Sequence, residues 1–350
     1  MRPSKTPLGE IQETTTTLML SMYAKCADIL LRETQSVVVT VTPKPNVLVV
    51  GTTIAAFQGT AMADMLTRPS PSTTRDWGLL SYCEDGAFVT GVTRLDTAYL
   101  TKVTLKMMDT VLPMAGAQGG QDRVVRLKAL LQDMSSAVDN EMAFSARASP
   151  QSKPCRAFHC VWTVKDKDRL LKCQDQMLEL WWDVRRQPDS MYQGETIRSS
   201  MLMCSVGDPN SPEAQYHKKM YGEGHDCRMA VLDRVAVMTL GADADVNMEN
   251  LIDQAKAGPK QEGSEMKSAL ALLPEAKNAD ILFTLNVPRM VSSLNPDLVS
   301  IPVPARTLPS RGNLVLAATI DKGKANVLVA MPKEHLTELV QFFQQMSIRR

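Results

Sequence analysis

Short apolar runs alternate along this chain with segments whose apolar residues recur every three to four positions, which predicts strands interleaved with amphipathic helices. After a polar start, Met19, Met22, Tyr23, Cys26, Ile29 and Leu30 fall at helical spacing and predict a first helix. VVVTV then reads as a strand, Thr42 to Asn46 as a turn or extended link because two prolines remove donors, and NVLVV as an adjacent strand. RPSPSTT, ending at Thr74, is a polar connector. Beyond it WGLLSY, a Glu84-Asp85-Gly86 turn and AFVTGV predict a hairpin. A helix from about Asp96, with that carboxylate as cap and Leu100, Val103, Met107 and Met108 on its buried face, closes the unit.

The same order returns near the other end. DILFTLNV predicts a strand, RMVSSL a short helix and IPVPARTLPS a proline-rich link. NLVLAATI, an Asp321-Lys322-Gly323 turn and ANVLVAM then predict a hairpin followed by a closing helix. Leu48 corresponds to Leu282, Gly86 to Gly323, Leu100 to Leu336 and Val103 to Leu339 at a nearly constant spacing, the mark of an internal repeat. The section between opens on GAQGGQ and a helix with Val124, Leu127, Leu131 and Met134 on one face. AFSARA and AFHCVWTV follow as strands, the second with Phe158, Cys160, Trp162 and Val164 on one face. A helix with Leu170, Cys173, Met177 and Trp181 comes next, then MLMCSV, CRMAVLD and RVAVMTL as β runs and a helix near Asn247 to Ala257. The expected fold is α+β, with mixed or antiparallel sheets covered by helices. Its sections are an N-terminal repeat lobe over 1–115, a central section over 116–260 and a C-terminal repeat lobe over 261–350.

Composition adds bounds. At 350 residues the chain exceeds the usual reach of one hydrophobic core, and 44% hydrophobic with 22% charged residues is the makeup of a folded, soluble protein. Twenty-two methionines against seven Phe, six Tyr and four Trp fit adaptable packing or an accommodating surface. Lys and Arg number 39 and Asp and Glu 38, for a net charge of +1, which argues against a dedicated nucleic-acid binder. No apolar stretch of secretory-signal or membrane-spanning length occurs in the sequence, so a cytoplasmic location is the default expectation, with export the alternative if a leader is missing. The seven cysteines, Cys26, Cys83, Cys155, Cys160, Cys173, Cys204 and Cys227, lie mostly in apolar runs and read as small buried hydrophobes in a reducing compartment.

VKDKDRLLKCQDQM, DILFTLNV and the run from Asn313 through the closing helix resemble, in pattern, uncharacterised planctomycete-type bacterial proteins that carry a domain of unknown function. The resemblance implies no catalytic residue; members of that kind are commonly exported.

Chemistry is sparse. The loop GDPNSPEAQYHKKMYGEGHDC gathers His217, Glu223, His225, Asp226 and Cys227, which are metal-ligand types without a complete tetrahedral spacing; His159 and Cys160 could join only through the fold. The same loop offers Cys227 with His217 or His225 as a nucleophile pair, against which Cys227 opens an apolar run. Asp243, Asp245 and Asn247 begin like a calcium loop, but Met248 and Gln254 replace its glycine and glutamate, so Asp245 or Asn247 is expected to cap a helix. Phosphate-loop, dinucleotide, nucleophile-elbow and HExxH motifs are absent. Trp181 and Trp182 read as one core and one exposed indole. Two functions are therefore expected: a non-catalytic binding or structural protein for a protein, peptide or lipid-like ligand, with no cofactor; or a metal-assisted or Cys/His hydrolase using His217 to Cys227.

Overall fold

The computed structural model describes residues 27–28, 30–67, 77–111, 121–148, 156–180, 184–203, 224–241, 243–258, 263–292 and 312–348. Their strands are β1 (Thr34–Lys44), β2 (Val47–Ala56), β3 (Val89–Thr93), β4 (Val138–Ala148), β5 (Arg156–Val164) and β6 (Val184–Tyr192). The series continues with β7 (Glu195–Met203), β8 (Gly224–Val231), β9 (Val235–Gly241), β10 (Ile281–Leu285), β11 (Leu314–Asp321) and β12 (Lys324–Pro332). The helices are α1 (Ala61–Met65), α2 (Thr97–Val111), α3 (Gln121–Ala137), α4 (Lys167–Leu180), α5 (Ala244–Ala257), α6 (Ser264–Leu272), α7 (Val287–Ser292) and α8 (Lys333–Ile348), with 3-10 turns at Leu80–Tyr82 and Pro274–Asn278.

All twelve described strands join one sheet in the order β1-β2-β12-β11-β10-β3-β4-β5-β9-β8-β7-β6, and every pairing is antiparallel. The α+β class holds. β4 to β9, consecutive in the chain, build one half; strands from the two chain ends build the other, and β3 beside β4 is the seam. Strands of all three expected sections thus share one sheet.

Turn chemistry sets the register locally. Gln193 and Gly194 between β6 and β7, and Lys322 and Gly323 between β11 and β12, all take positive φ, the two-residue turn that suits twisted antiparallel strands. Pro43 lies inside β1 rather than in a link, which an edge strand tolerates because one side of its backbone has no partner to lose.

One face of the sheet carries the main core. Val92, Ala143, Val161, Val237 and Leu282 pack there against Leu79 to Cys83, α5 through Met248, Leu251 and Ile252, and α6 through Met266 and Ala269. On the opposite face Trp162, Val164, Met229 and Ala236 meet Ala137 at the end of α3 and Leu170 of α4, and α3 and α4 pack on each other through Leu130, Met134, Cys173 and Met177. β5 is covered on both sides, and His159 and Val161 lie deeper than the expected apolar face, where Cys160 is buried but Phe158, Trp162 and Val164 are half-buried.

Several expectations need correction. WGLLSY is not a strand: Trp77 to Leu79 turn and Leu80–Tyr82 is 3-10, so the expected N-terminal hairpin does not form. Asp245 and Asn247 do not cap α5. Asp243 holds that place in left-handed conformation (φ 57°) without a side-chain cap bond, while Asp245 and Asn247 sit in the first turn and receive arginines from the sheet. The end of the first helix is helical over Leu30 to Glu33, but Met19 to Cys26, the polar connector and Trp181 and Trp182 lie outside the described residues.

Candidate functional site

Across the core-bearing face runs one register row that is polar over eight neighbouring strands: Thr284, Thr90, Ser145, His159, Thr239, Arg228, Ser199 and Gln187. The row one pleat away is apolar, passing through Leu282, Val92, Ala143, Val161, Val237 and Ala230. From Thr284 to Ser199 every member of the polar row is buried. Buried polar groups need partners, and here the partners are the segments crossing the sheet.

The Glu84 amide donates to Ser145 Oγ (3.1 Å), and Thr90 Oγ1 donates to the Phe144 carbonyl (3.0 Å). That leaves Ser145 as the donor in its 2.6 Å contact with Thr90, a one-way chain. His159 Nε2 lies 2.9 Å from the Tyr82 carbonyl, which can only accept, so this nitrogen carries the proton; Nδ1 faces Glu84 Oε1 at 3.5 Å. Thr239 Oγ1 donates to the Ala244 carbonyl. Arg228 donates from Nε to Asp245 Oδ1 (2.6 Å) and from an Nη to Gln187 (3.0 Å), and Arg147 reaches Asn247 Oδ1 (2.6 Å). Ser145, His159 and Glu84 are acid-base residue types close together, yet Ser145 is 1% exposed and His159 Nε2 is spent on a carbonyl. The constellation fastens Tyr82 to Glu84 and the start of α5 to the sheet; it does not present a nucleophile.

A second network ties the Glu84-Asp85-Gly86 turn to α6 and α7. Asp85 accepts from the Ser264 and Glu265 amides (2.9 and 3.0 Å) and from Ser264 Oγ. Burial pulls its carboxyl upward, but these bonds and the Arg289 charge outweigh it and hold the pKa below the usual value. Arg289 forks onto Glu265 at 2.8 and 3.0 Å, and Asn313 adds a third bond to that carboxylate. His335 on α8, wholly buried, sits 2.8 Å from the Gly312 carbonyl through Nδ1, and its Nε2 makes no hydrogen bond among the described residues.

The residues expected to carry chemistry are dispersed. His225 and Cys227 share one face of β8, and Asp226 points to the other. Following the register, His159 stands on the face opposite His225 and Cys227, two strands away, so the sheet separates them. His217 and Glu223 lie outside the described residues. Among the described residues no three His, Cys, Asp or Glu side chains converge so as to hold a metal ion. Burial pushes the Cys227 thiol up, as it does Cys173, and lifts Cys83 and Cys160 to about 12; all four are free thiols that resist becoming thiolates. Burial also lowers the His225 pKa.

The described residues border several clefts, of which two are roomy. One of about 660 Å³ is bordered by Leu79, Tyr82, Glu195, Leu232, Arg234 and Lys256, with Glu195 and Lys256 already paired at 3.1 Å. The other, about 590 Å³, lies beside Glu265, Leu272 and Asn313. Near the first, burial raises the Glu141 carboxyl pKa, but its oxygens accept from the Leu79 amide at 2.9 Å.

Among the described residues, the rim of the sheet at β1 has no further strand beside it. β1 is exposed along nearly its whole length, with Val37, Val38, Val39 and Val41 52–60% accessible. A strand edge is a row of backbone donors and acceptors, and this one bears a lone charge, on Lys44. Beside it Val50 and Ile54 of β2 continue the apolar stripe, half-buried. Comparison with family models, with curated proteins and with solved structures finds no match. The polar row was the arrangement that sequence reasoning missed. Its trace in the sequence is a polar residue inside each apolar run: Thr90 in AFVTGV, Ser145 in AFSARA, His159 in AFHCVWTV.

Proposed function

We propose that this chain is a non-catalytic binding protein that works by adding a partner's extended segment to the edge of its sheet at β1. The observation that carries the reading is the exposed, valine-rich run Val37 to Val41 on an edge strand whose ladder is regular from Ser36 to Lys44. Strand addition draws affinity from main-chain hydrogen bonds and specificity from alternate side chains, and β1 offers both to a protein or peptide rather than to nucleic acid. The buried histidine, serine and arginine groups support it from the other side, because each is committed to holding the covering segments in place. A hydrolase using His217, His225 and Cys227 has less in its favour, since burial raises the Cys227 thiol.

Kinship between β3–α2 and β12–α8 also belongs to this reading. Gly86 and Gly323 both take left-handed φ ahead of the strand that precedes the helix. The pattern resemblance to planctomycete-type proteins supplies no residue role, and the reading stands without it. No helix among the described residues is long and apolar enough to cross a membrane.

A library of displayed extended peptides, panned against the full chain and against Val39→Lys, tests the reading. Enrichment of β-prone sequences on the native chain that is lost on the variant is expected. Equal recovery on both, or none on either, would remove it.

A further inference from the structure

The β1 strand is self-complementary, and we infer that its occupant is β1 of a second copy, paired antiparallel about a two-fold axis at Val39. This rests on the reading of β1 as a binding edge and names its partner. In an antiparallel pair, opposed residues point to the same face, so under two-fold symmetry a residue on the axis must oppose itself and positions equally distant from it oppose each other. Centring on Val39 sets Val37 against Val41 on one face, and Val38 against Thr40 and Ser36 against Thr42 on the other. Like meets like throughout: valines with valines, and small hydroxyl or β-branched residues with their kind, the pairs that stabilise sheets.

Charge agrees. Lys44, exposed at one end of β1, comes toward the Glu33–Thr34 end of the other copy, beyond the shift between Thr34 and Ser36, where the Glu33 carboxylate also accepts from the Met62 amide, and the symmetry repeats the approach at the far end. No acid or base occurs between Thr34 and Thr42 to oppose a like charge. The other edge cannot serve as the partner. β6 carries Arg185, Arg186, Pro188 and Asp189, and its pairing slips between Gln187 and Ser190. A bulge with a proline leaves no continuous row for another strand. The join therefore closes after two copies as a two-fold dimer whose outer edges are both β6, rather than growing into a fibre.

Light scattering after size exclusion of the full chain, over a concentration series, tests this together with cysteine cross-linking. The expected result is a dimer that dissociates on dilution. Val39→Lys, which places two ammonium groups face to face on the axis, weakens the dimer at least about tenfold. Under mild oxidation Val39→Cys links two copies through opposed residues, whereas Val38→Cys, whose opposite number is Thr40, does not; the native chain sets the background from its own cysteines. A monomer at every concentration up to about 100 μM, or equal linking by the two cysteine variants, overturns the inference. A monomer whose peptide panning still depends on Val39 would leave the edge-binding reading standing and remove only the second copy.

Discussion

The two edges of the sheet are built to opposite rules. β6 ends the half made from consecutive strands, and its edge is broken by Pro188, a register slip and three charged side chains. β1 ends the half made from the two chain termini and presents valines over a regular run, with register unbroken from Ser36 to Lys44. Natural sheets blunt their edges with charge, proline and bulges because an unblunted edge pairs with whatever strand it meets. On β6 those devices fall in the middle of the strand, whereas on β1 they are confined to its ends, at the Thr34–Ser36 shift and at Pro43 and Lys44.

Depth of anchoring separates the halves in the same way. In the β6 half, Arg228, Thr239 and His159 reach out of the sheet to α5 and to Tyr82, and α3 and α4 cover the far side. On the β1 side the polar row gives way to Val315 and Ala330 before reaching β2, and among the described residues β1 is held by its ladder with β2 and by a bond from Thr34 at its start to Met62 of α1. Fold stability should accordingly reside at the seam and in the β6 half, and association at β1.

The largest effect is expected at the seam. A side chain on Gly91 would place its Cβ 2.6 Å from Phe283 Cβ and 2.9 Å from the Leu282 carbonyl, with Phe144 at 3.0 Å on the other side. Gly91→Val should cost about 3 kcal/mol or more by denaturant unfolding, because backbone on a neighbouring strand cannot yield as a side chain can. Arg228→Met comes next, at about 2 kcal/mol in the same measurement. The variant leaves Gln187 Oε1 without its donor, while Asp245, whose side chain is 70% accessible, returns to water. If Arg228→Met were neutral, the polar row would not be what anchors the guarded half.

A smaller effect follows from pH. Burial lowers the His335 pKa below that of the free side chain, while its bond to Gly312 and Glu338 opposes the shift. The unfolded chain therefore takes up the proton first, and the stability held above pH about 6.5 is lost as pH falls below it. Unfolding free energy should fall as the pH drops from about 7 to about 5.5, with a flatter profile in His335→Gln. His225, lowered by burial, adds in the same direction. The smallest change in stability is expected for Val39→Lys, within about 0.5 kcal/mol, since an exposed edge position contributes little to the fold. A large loss there would mean that β1 is structural and the contrast between edges misread.

Much of the α+β pattern was legible because long apolar runs and helical spacing survive any arrangement: β2, β5, β9, β11, β12, α4 and α8 all stand where the periodicity places them. β6 was missed, since Arg185, Arg186, Pro188 and Asp189 carry the signals of a loop, and these are the residues that blunt an edge. WGLLSY read as a strand because Leu79, Leu80 and Tyr82 are apolar; the segment is buried by crossing the sheet rather than by joining it. The polar row was invisible for a different reason. Its members are neighbours only through the registers of eight strands, and no spacing within one segment encodes that. Even the order of strands, with both chain ends meeting in one half, depends on pairings between residues far apart in sequence.

Hydrogen exchange of the backbone amides, followed at low and at high protein concentration, tests the contrast between the edges most directly. Protection in β1, centred on Val39, should rise with concentration while β6 stays the same at both. Exchange in β1 that does not change with concentration, or a rise shared equally by β6, would contradict it.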